Sequence, residues 1–148
     1  MSEPTLEDIE DYDTLKGVFD KYNPEMVFHL AAQPIVRESY AHPKETSDVT
    51  IGGTVNVLEC CRLAQSVKTI VTITSDKCYE NRESEQDYRE DDPMGGYDPY
   101  SSSKGCAELV TAAYRRSFFN PVDFKKHGKC LSSVRAGNVI GGGDWQKD

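Results

Sequence analysis

The sequence predicts an α/β fold built on a parallel sheet. Three observations carry that expectation: apolar residues recur at helical spacing in some stretches, short β-branched or nearly continuous apolar runs stand between them, and the two kinds alternate along the chain. Strand–helix–strand units of this kind need crossover helices and so give parallel strands. The 148 residues, 37% of them hydrophobic and 28% charged, are enough for one domain with a buried core, and a single domain over 1–148 is expected.

The elements follow in order. Tyr12 to Tyr22 carries Leu15, Val18, Phe19 and Tyr22 on one helical stripe, and Asn23-Pro24 stops it. Met26 to Ala32 is a nearly continuous apolar run and reads as a buried parallel strand. Pro43 suits the first turn of a second helix running to about Ala64, with Val55, Leu58 and Cys61 on its apolar face. The β-branched run Thr69 to Thr74 reads as a strand, 99–118 as a third helix and Cys130 to Arg135 as another strand. Gly141 to Gly143 reads as a loop. The polar stretch between Tyr79 and Pro99 is longer than an ordinary connection, and a solvated loop and a functional lid account for it equally well.

Composition excludes several classes. A net charge of -8 argues against a nucleic-acid surface. No apolar run reaches the ~18 residues of a membrane span, and the acidic start, Met1 to Glu10, is not a signal peptide. The five cysteines are odd in number, two are adjacent and no C-x-x-C occurs, which fits reduced cytoplasmic thiols better than a disulfide framework or a zinc site. His29, His42 and His127 have no metal-ligand spacing. His29 lies in an apolar run and reads as a core or strand-end residue.

Ligands of parallel α/β sheets bind at the carboxyl ends of the strands, so the residues after Ala32, Thr74 and Arg135 are expected to face one crevice. There the chemistry concentrates. Tyr100 and Lys104, four apart on a helix, share a face, and a lysine ammonium beside a phenol favours the phenolate. The spacing alone decides nothing, because Tyr12/Lys16 and Tyr40/Lys44 have it too. The third pair stands out because it follows a strand ending in Thr-Ser-Asp-Lys. Ser75 can hydrogen-bond a reacting hydroxyl beside Tyr100, Asp76 is an acid and Lys77 a potential base. A bare Ser-Asp after a strand would otherwise be a turn or a helix cap. Gly141 to Gly143 are not a P-loop, since no Gly-Lys-Ser/Thr follows.

The segments HLAAQ (29–33), TSDKCYEN (74–81), DPMGGYDPYSSSKGCAEL (92–109) and RAGNVIGGGDW (135–145) resemble the extended short-chain dehydrogenase/reductase family, and within it the sugar-nucleotide 4,6-dehydratases. The resemblance runs from about Leu6 to the last residue. Lys77, where many relatives carry glutamate, points to a CDP-linked glucose. The resemblance implies NAD as a bound, unconsumed cofactor. Tyr100, aided by Lys104 and Ser75, would deprotonate the sugar 4-hydroxyl as hydride leaves, with Lys77 as base at C5 and Asp76 as acid at the 6-hydroxyl. Leu30, Ala31, Ala32, Gln33, Thr74, Tyr100, Lys104, Ala136 and Gly137 would line the NAD site, the first four largely through backbone, and Asn138 would contact the substrate diphosphate. No metal is implied. A homodimer through the helices near 43–64 and 99–118 is implied.

The resemblance also implies a partial Rossmann-like sheet. The glycine-rich first βαβ unit and the C-terminal substrate domain are not recognised in the sequence, whose first glycine is Gly17. On that reading the isolated chain is expected to expose an apolar sheet edge, to hold NAD weakly and to be inactive. Two alternatives stand beside the dehydratase: a non-enzymatic remnant that dimerises or binds full-length relatives, and a sugar-nucleotide epimerase of the same family. Thr50 falls where the family has an asparagine that shapes the helix and supports a water relay behind the lysine.

Overall fold

The computed structural model describes residues 8–83 and 87–139. Helix α1 (Tyr12–Tyr22) begins where the Asp11 carboxylate accepts from the Thr14 amide at 3.0 Å, and it ends at Asn23 in a left-handed conformation. Strands β1 (Met26–His29), β2 (Thr69–Ser75) and β3 (Cys130–Ala136) form a parallel sheet in the order β1-β2-β3. The predicted α/β class with a parallel sheet is therefore observed.

Helices fill the connections. After β1 come α2 (Val36–Ala41) and α3 (Pro43–Ser47), which runs through a π-helical turn (Asp48–Gly52) into α4 (Gly53–Leu63). After β2 come a 3₁₀ turn (Asp76–Cys78), the long polar loop and α5 (Pro99–Ser117); a short 3₁₀ turn (Pro121–Asp123) and α6 (Phe124–His127) lead into β3. The expected helix from Pro43 to Ala64 is thus one helical path with a π turn inside it. Such turns recur at functional sites.

Phe19 of α1, Val57, Leu58, Cys60 and Cys61 of α4, Ile70 of β2, Phe119 and Leu131 of β3 pack into one core with Val67. On β2 the inward residues are Ile70, Thr72 and Thr74. Two details differ from expectation. Val55 points away from this core and is 37% exposed, so the apolar face of α4 is set by Val57, Leu58, Cys60 and Cys61. Strand β1 is shorter than the apolar run, and it is not buried on both sides: Met26 and Phe28 are exposed while Val27 and His29 turn inward. Among the described residues the helices cover one face of the sheet and leave the other open, with Val134 exposed on it.

The core thiols are inert. Burial pushes Cys60 and Cys78 up to about 11 and Cys61 up to about 12, and all five cysteines are free. At the far end of α4, the buried Lys129 ammonium donates to the carbonyls of Cys61, Arg62 and Ala64 at 2.7, 3.0 and 2.6 Å, closing a helix terminus whose carbonyls would otherwise lack donors. No helix among the described residues is long and apolar enough to cross a membrane.

Candidate active site

The carboxyl ends of β2 and β3 and the start of α5 enclose a cleft of about 590 Å³. Ser75, Lys77, Tyr100, Ala136, Gly137 and Asn138 line it, and Thr74 contributes to its wall. Pro34, Val36, Ile73 and Val139 complete it; the sequence singled out none of these four, and no chemical signal in them could have. Gly141 to Gly143 lie outside the described residues.

Local sequence explains the shape. Asp98 caps α5, its carboxylate accepting from the Ser101 amide at 2.9 Å and the Ser101 hydroxyl at 2.6 Å, and Pro99 sits in the first turn. This places Tyr100 at the cleft, Lys104 one turn on and Glu108 one turn further, on one face. Two glycines let the preceding loop lie on the helix. A Cβ on Gly105 would stand 2.7 Å from the Gly95 carbonyl oxygen, and Gly96, at φ +139°, would press one against the Ser102 amide at 2.3 Å.

Ser75 does two things at once. Its Oγ caps the Asp76–Cys78 turn by accepting from the Lys77 amide at 3.2 Å, and it donates to Asp76 Oδ1 at 3.0 Å. The turn-and-cap reading of Ser-Asp therefore holds alongside the chemical one. Lys77 Nζ lies 3.1 and 3.3 Å from the two Asp76 oxygens, and both side chains are partly exposed. Asp76 does not line the cleft of Tyr100; it faces two neighbouring clefts beside Tyr79 and Tyr88.

Lys104 is 7% exposed, with Nζ 5.9 Å from the Tyr100 ring centroid. Among the described residues neither the ammonium nor the Tyr100 hydroxyl has a hydrogen-bond partner, and burial lowers the Lys104 pKa. His29, also buried, bonds Thr54 Oγ1 at 2.8 Å. Burial, and then the charge of Lys104, push its pKa down to about 4. Thr50, flagged in the sequence, sits in the π turn with its hydroxyl buried and unpartnered among the described residues, as does that of Thr72 on β2.

After β1, Pro34 and Val36 line the cleft, and residues 30–33 stand apart from its walls. Leu30 and Ala31 are exposed, Ala32 and Gln33 half-buried. The Gln33 amide is spent on local structure: it donates to Ile35 O at 3.1 Å and Thr46 Oγ1 at 2.9 Å and accepts from the Ile35 amide. The Gln33 amide hydrogens are thus both taken, which leaves backbone and the exposed Leu30 and Ala31 to meet a ligand. The Thr74 hydroxyl is likewise engaged, donating to Glu108 Oε1 at 2.5 Å. The polar loop is ordered where described, with Tyr79 bridged to Met94 and stacked on Tyr88 at 4.7 Å.

The profile of the GDP-mannose 4,6 dehydratase family matches residues 4–124. The CDP-glucose 4,6-dehydratase of Salmonella typhimurium is 56% identical over all 148 residues, which span 41% of its length. Among solved structures, the UDP-glucose 4-epimerase of Brucella ovis in complex with NAD superposes with a TM-score of 0.72 at 26% identity, over 90% of this chain and 37% of that one. A double mutant of the dTDP-glucose 4,6-dehydratase of Streptomyces venezuelae, with NAD bound, superposes with a TM-score of 0.70 at 26% identity, over 76% of this chain and 34% of that one. The chain thus spans about two fifths of the length of the curated relative it matches along its whole sequence.

Proposed function

The chain belongs to the GDP-mannose 4,6 dehydratase family, and from that premise we propose that it is the catalytic segment of a sugar-nucleotide 4,6-dehydratase acting on CDP-glucose. The observation that carries this reading is the cleft in which Ser75, Lys77 and Tyr100 meet above the buried Lys104. The product would be the CDP-linked 4-keto-6-deoxy sugar.

The residues present fit the nicotinamide end of NAD. Among the described residues there is open space around Gly137 where a side chain would stand, Leu30 and Ala31 are exposed at the end of β1, and Lys104 holds an ammonium without a hydrogen-bond partner near Tyr100. Backbone at Leu30 to Gln33, with Thr74, Ala136 and Gly137, would hold that end, and Asn138 would reach the substrate diphosphate. The chemistry NAD supplies when bound is uptake of hydride from C4 and its return to C6.

This chain's own residues handle the protons. Tyr100 accepts the proton of the 4-hydroxyl, with the Lys104 ammonium stabilising the resulting charge and Ser75 hydrogen-bonded to the reacting oxygen. The Asp76–Lys77 ion pair then sets both remaining roles. Transfer of one proton across the 3.1 Å contact gives a neutral amine and a neutral acid. The amine takes the proton from C5, the acid, in the adjoining cleft that Lys77 also lines, protonates the departing 6-hydroxyl as water, and the ion pair is restored. As hydride returns to C6, the proton that Tyr100 took from the 4-hydroxyl is returned at C5, so Tyr100 and the ion pair both end as they began.

A homodimer through α4 and α5 belongs to the same proposal, supported by Val55, Leu63 and Leu109, exposed on these two helices, and by Phe118, exposed just past the end of α5. Light scattering that finds a monomer at micromolar concentration would reject it. A cytoplasmic location fits five free thiols.

The test of the catalytic reading is a graft. The 148 residues replace the aligned segment of the Salmonella enzyme, and CDP-glucose is assayed for the 4-keto product. The graft is expected to be active, with Tyr100→Phe lowering kcat by about 10²-fold or more, the range for loss of a general base. A folded graft that binds NAD and makes no 4-keto product would reject the proposal.

A further inference from the structure

One buried ion pair stands outside the reaction described above. Glu108 of α5 is 5% exposed, and its carboxylate collects three donors from two strands. Thr74 Oγ1 reaches Oε1 at 2.5 Å, while Ser133 Oγ and Arg135 Nη2 reach Oε2 at 3.0 Å each. Arg135 then extends the connection outward. Its Nη1 donates to the Tyr79 hydroxyl at 2.7 Å and to Glu90 O at 2.9 Å, and the guanidinium lies over the Tyr79 ring at 5.0 Å. Burial works against the arginine charge; the bonds to Glu108 and Tyr79 more than offset it and leave its pKa raised.

Four of its members adjoin residues of the proposed site along the chain. Thr74 precedes Ser75, Arg135 precedes Ala136, Glu108 lies one helical turn beyond Lys104, and Tyr79 ends the turn that carries Asp76 and Lys77. A buried ion pair is weak evidence for stability, because apolar residues of the same volume often serve as well. What this one adds is fixed geometry between a helix, two strand ends and a loop.

We infer that Glu108 and Arg135 are positioning residues: together they hold the Tyr100/Lys104 helix in register with the Ser75 and Ala136 strand ends and pin the loop after Tyr79 beside Asp76. The kinetic part rests on the dehydratase reading; the structural part does not.

The test has two arms. In the 148-residue chain, amide exchange is read at Glu80 and Gly95, which bond Pro93 O and Cys78 O at 2.9 Å. Arg135→Lys keeps a charge for Glu108 but cannot also span to Tyr79 and Glu90, and exchange at these two amides should quicken about tenfold or more with β2 amides unchanged. In the graft, Arg135→Lys should lower kcat about tenfold or more with KM within about threefold, as misplacement of reacting groups does. Glu108→Gln, which keeps one acceptor oxygen, should be milder than Glu108→Ala. Unchanged exchange in Arg135→Lys, or faster exchange with unaltered kcat, would overturn the inference. An unsubstituted graft that makes no 4-keto product rejects the dehydratase reading instead, and the exchange arm then decides alone.

Discussion

His29 should make the stability of this protein sensitive to mild acid. The Thr54 hydroxyl donates to Thr50 O at 2.6 Å, so its oxygen accepts from His29 Nε2 at 2.8 Å, and that nitrogen carries the proton of a neutral ring. Burial and the nearby Lys104 charge depress the folded pKa from 6.5 to about 4. Between those values the unfolded chain binds more protons than the folded one, so stability rises with pH across the window and is lost as pH falls through it. At about 1.4 kcal/mol per pKa unit, the linkage costs about 2 kcal/mol on going from pH 7 to pH 5 and about 3 kcal/mol by pH 4. Carboxylates titrate in the same range, so the assay is a difference. Urea unfolding is measured at pH 7 and pH 5 for the natural chain and for His29→Gln, whose amide can still donate to Thr54. The natural chain should lose about 2 kcal/mol more than the variant over that interval. Parallel losses, within about 0.5 kcal/mol, would refute the account of a buried neutral imidazole.

Two further substitutions probe the frame around the site. Gly105→Ala should destabilise by about 1–2 kcal/mol, because overpacking against the Gly95 carbonyl outweighs the helix-propensity gain of alanine; a more stable variant in thermal unfolding would contradict the close approach. Lys129→Met keeps the buried stem but removes three charge-assisted bonds to the end of α4, and a loss of about 2 kcal/mol in urea unfolding is expected, with neutrality counting against the cap.

The parts of the fold that were legible were those whose signal is local. The stripe of α1 and its Asn23-Pro24 stop are contained in a dozen residues, and the boundaries Tyr12–Tyr22 follow from them. The apolar run from Met26 continues to Ala32, but pairing with β2 stops at His29, and hydropathy does not register where a partner strand ends. Helix α2, VRESYA, was missed because it has no apolar stripe and buries only Ser39. The cleft was legible because strand ends converge in a parallel sheet, which brought Ser75, Tyr100 and Ala136 together from three segments. The Glu108–Arg135 pair was not legible. Its partners are 27 residues apart on different elements, and in a chain 28% charged no single acidic or basic residue announces that it is buried.

Burial leaves the Lys104 ammonium poorly solvated and lowers its pKa. An exposed lysine gains little from a nearby anion, because water screens both charges. Lys104 lies 7% exposed with no carboxylate in reach among the described residues, so its charge is stabilised by neither solvent nor counter-ion. His29, held neutral beside it, adds no second positive charge. In the proposed reaction the Lys104 charge is available to Tyr100, whose ring centroid lies 5.9 Å from the ammonium. Thr50 bears on the same proposal from the π turn. Its hydroxyl, buried and unpartnered among the described residues, is a polar group left available on the side of the helical layer against which α5 packs. Replacing it by valine, which keeps the shape, should leave stability within about 1 kcal/mol, because no protein hydrogen bond is lost. A shift in the pH dependence of kcat in a Thr50→Val graft would place this hydroxyl within the electrostatic reach of the pair, and an unaltered profile would confine its role to packing.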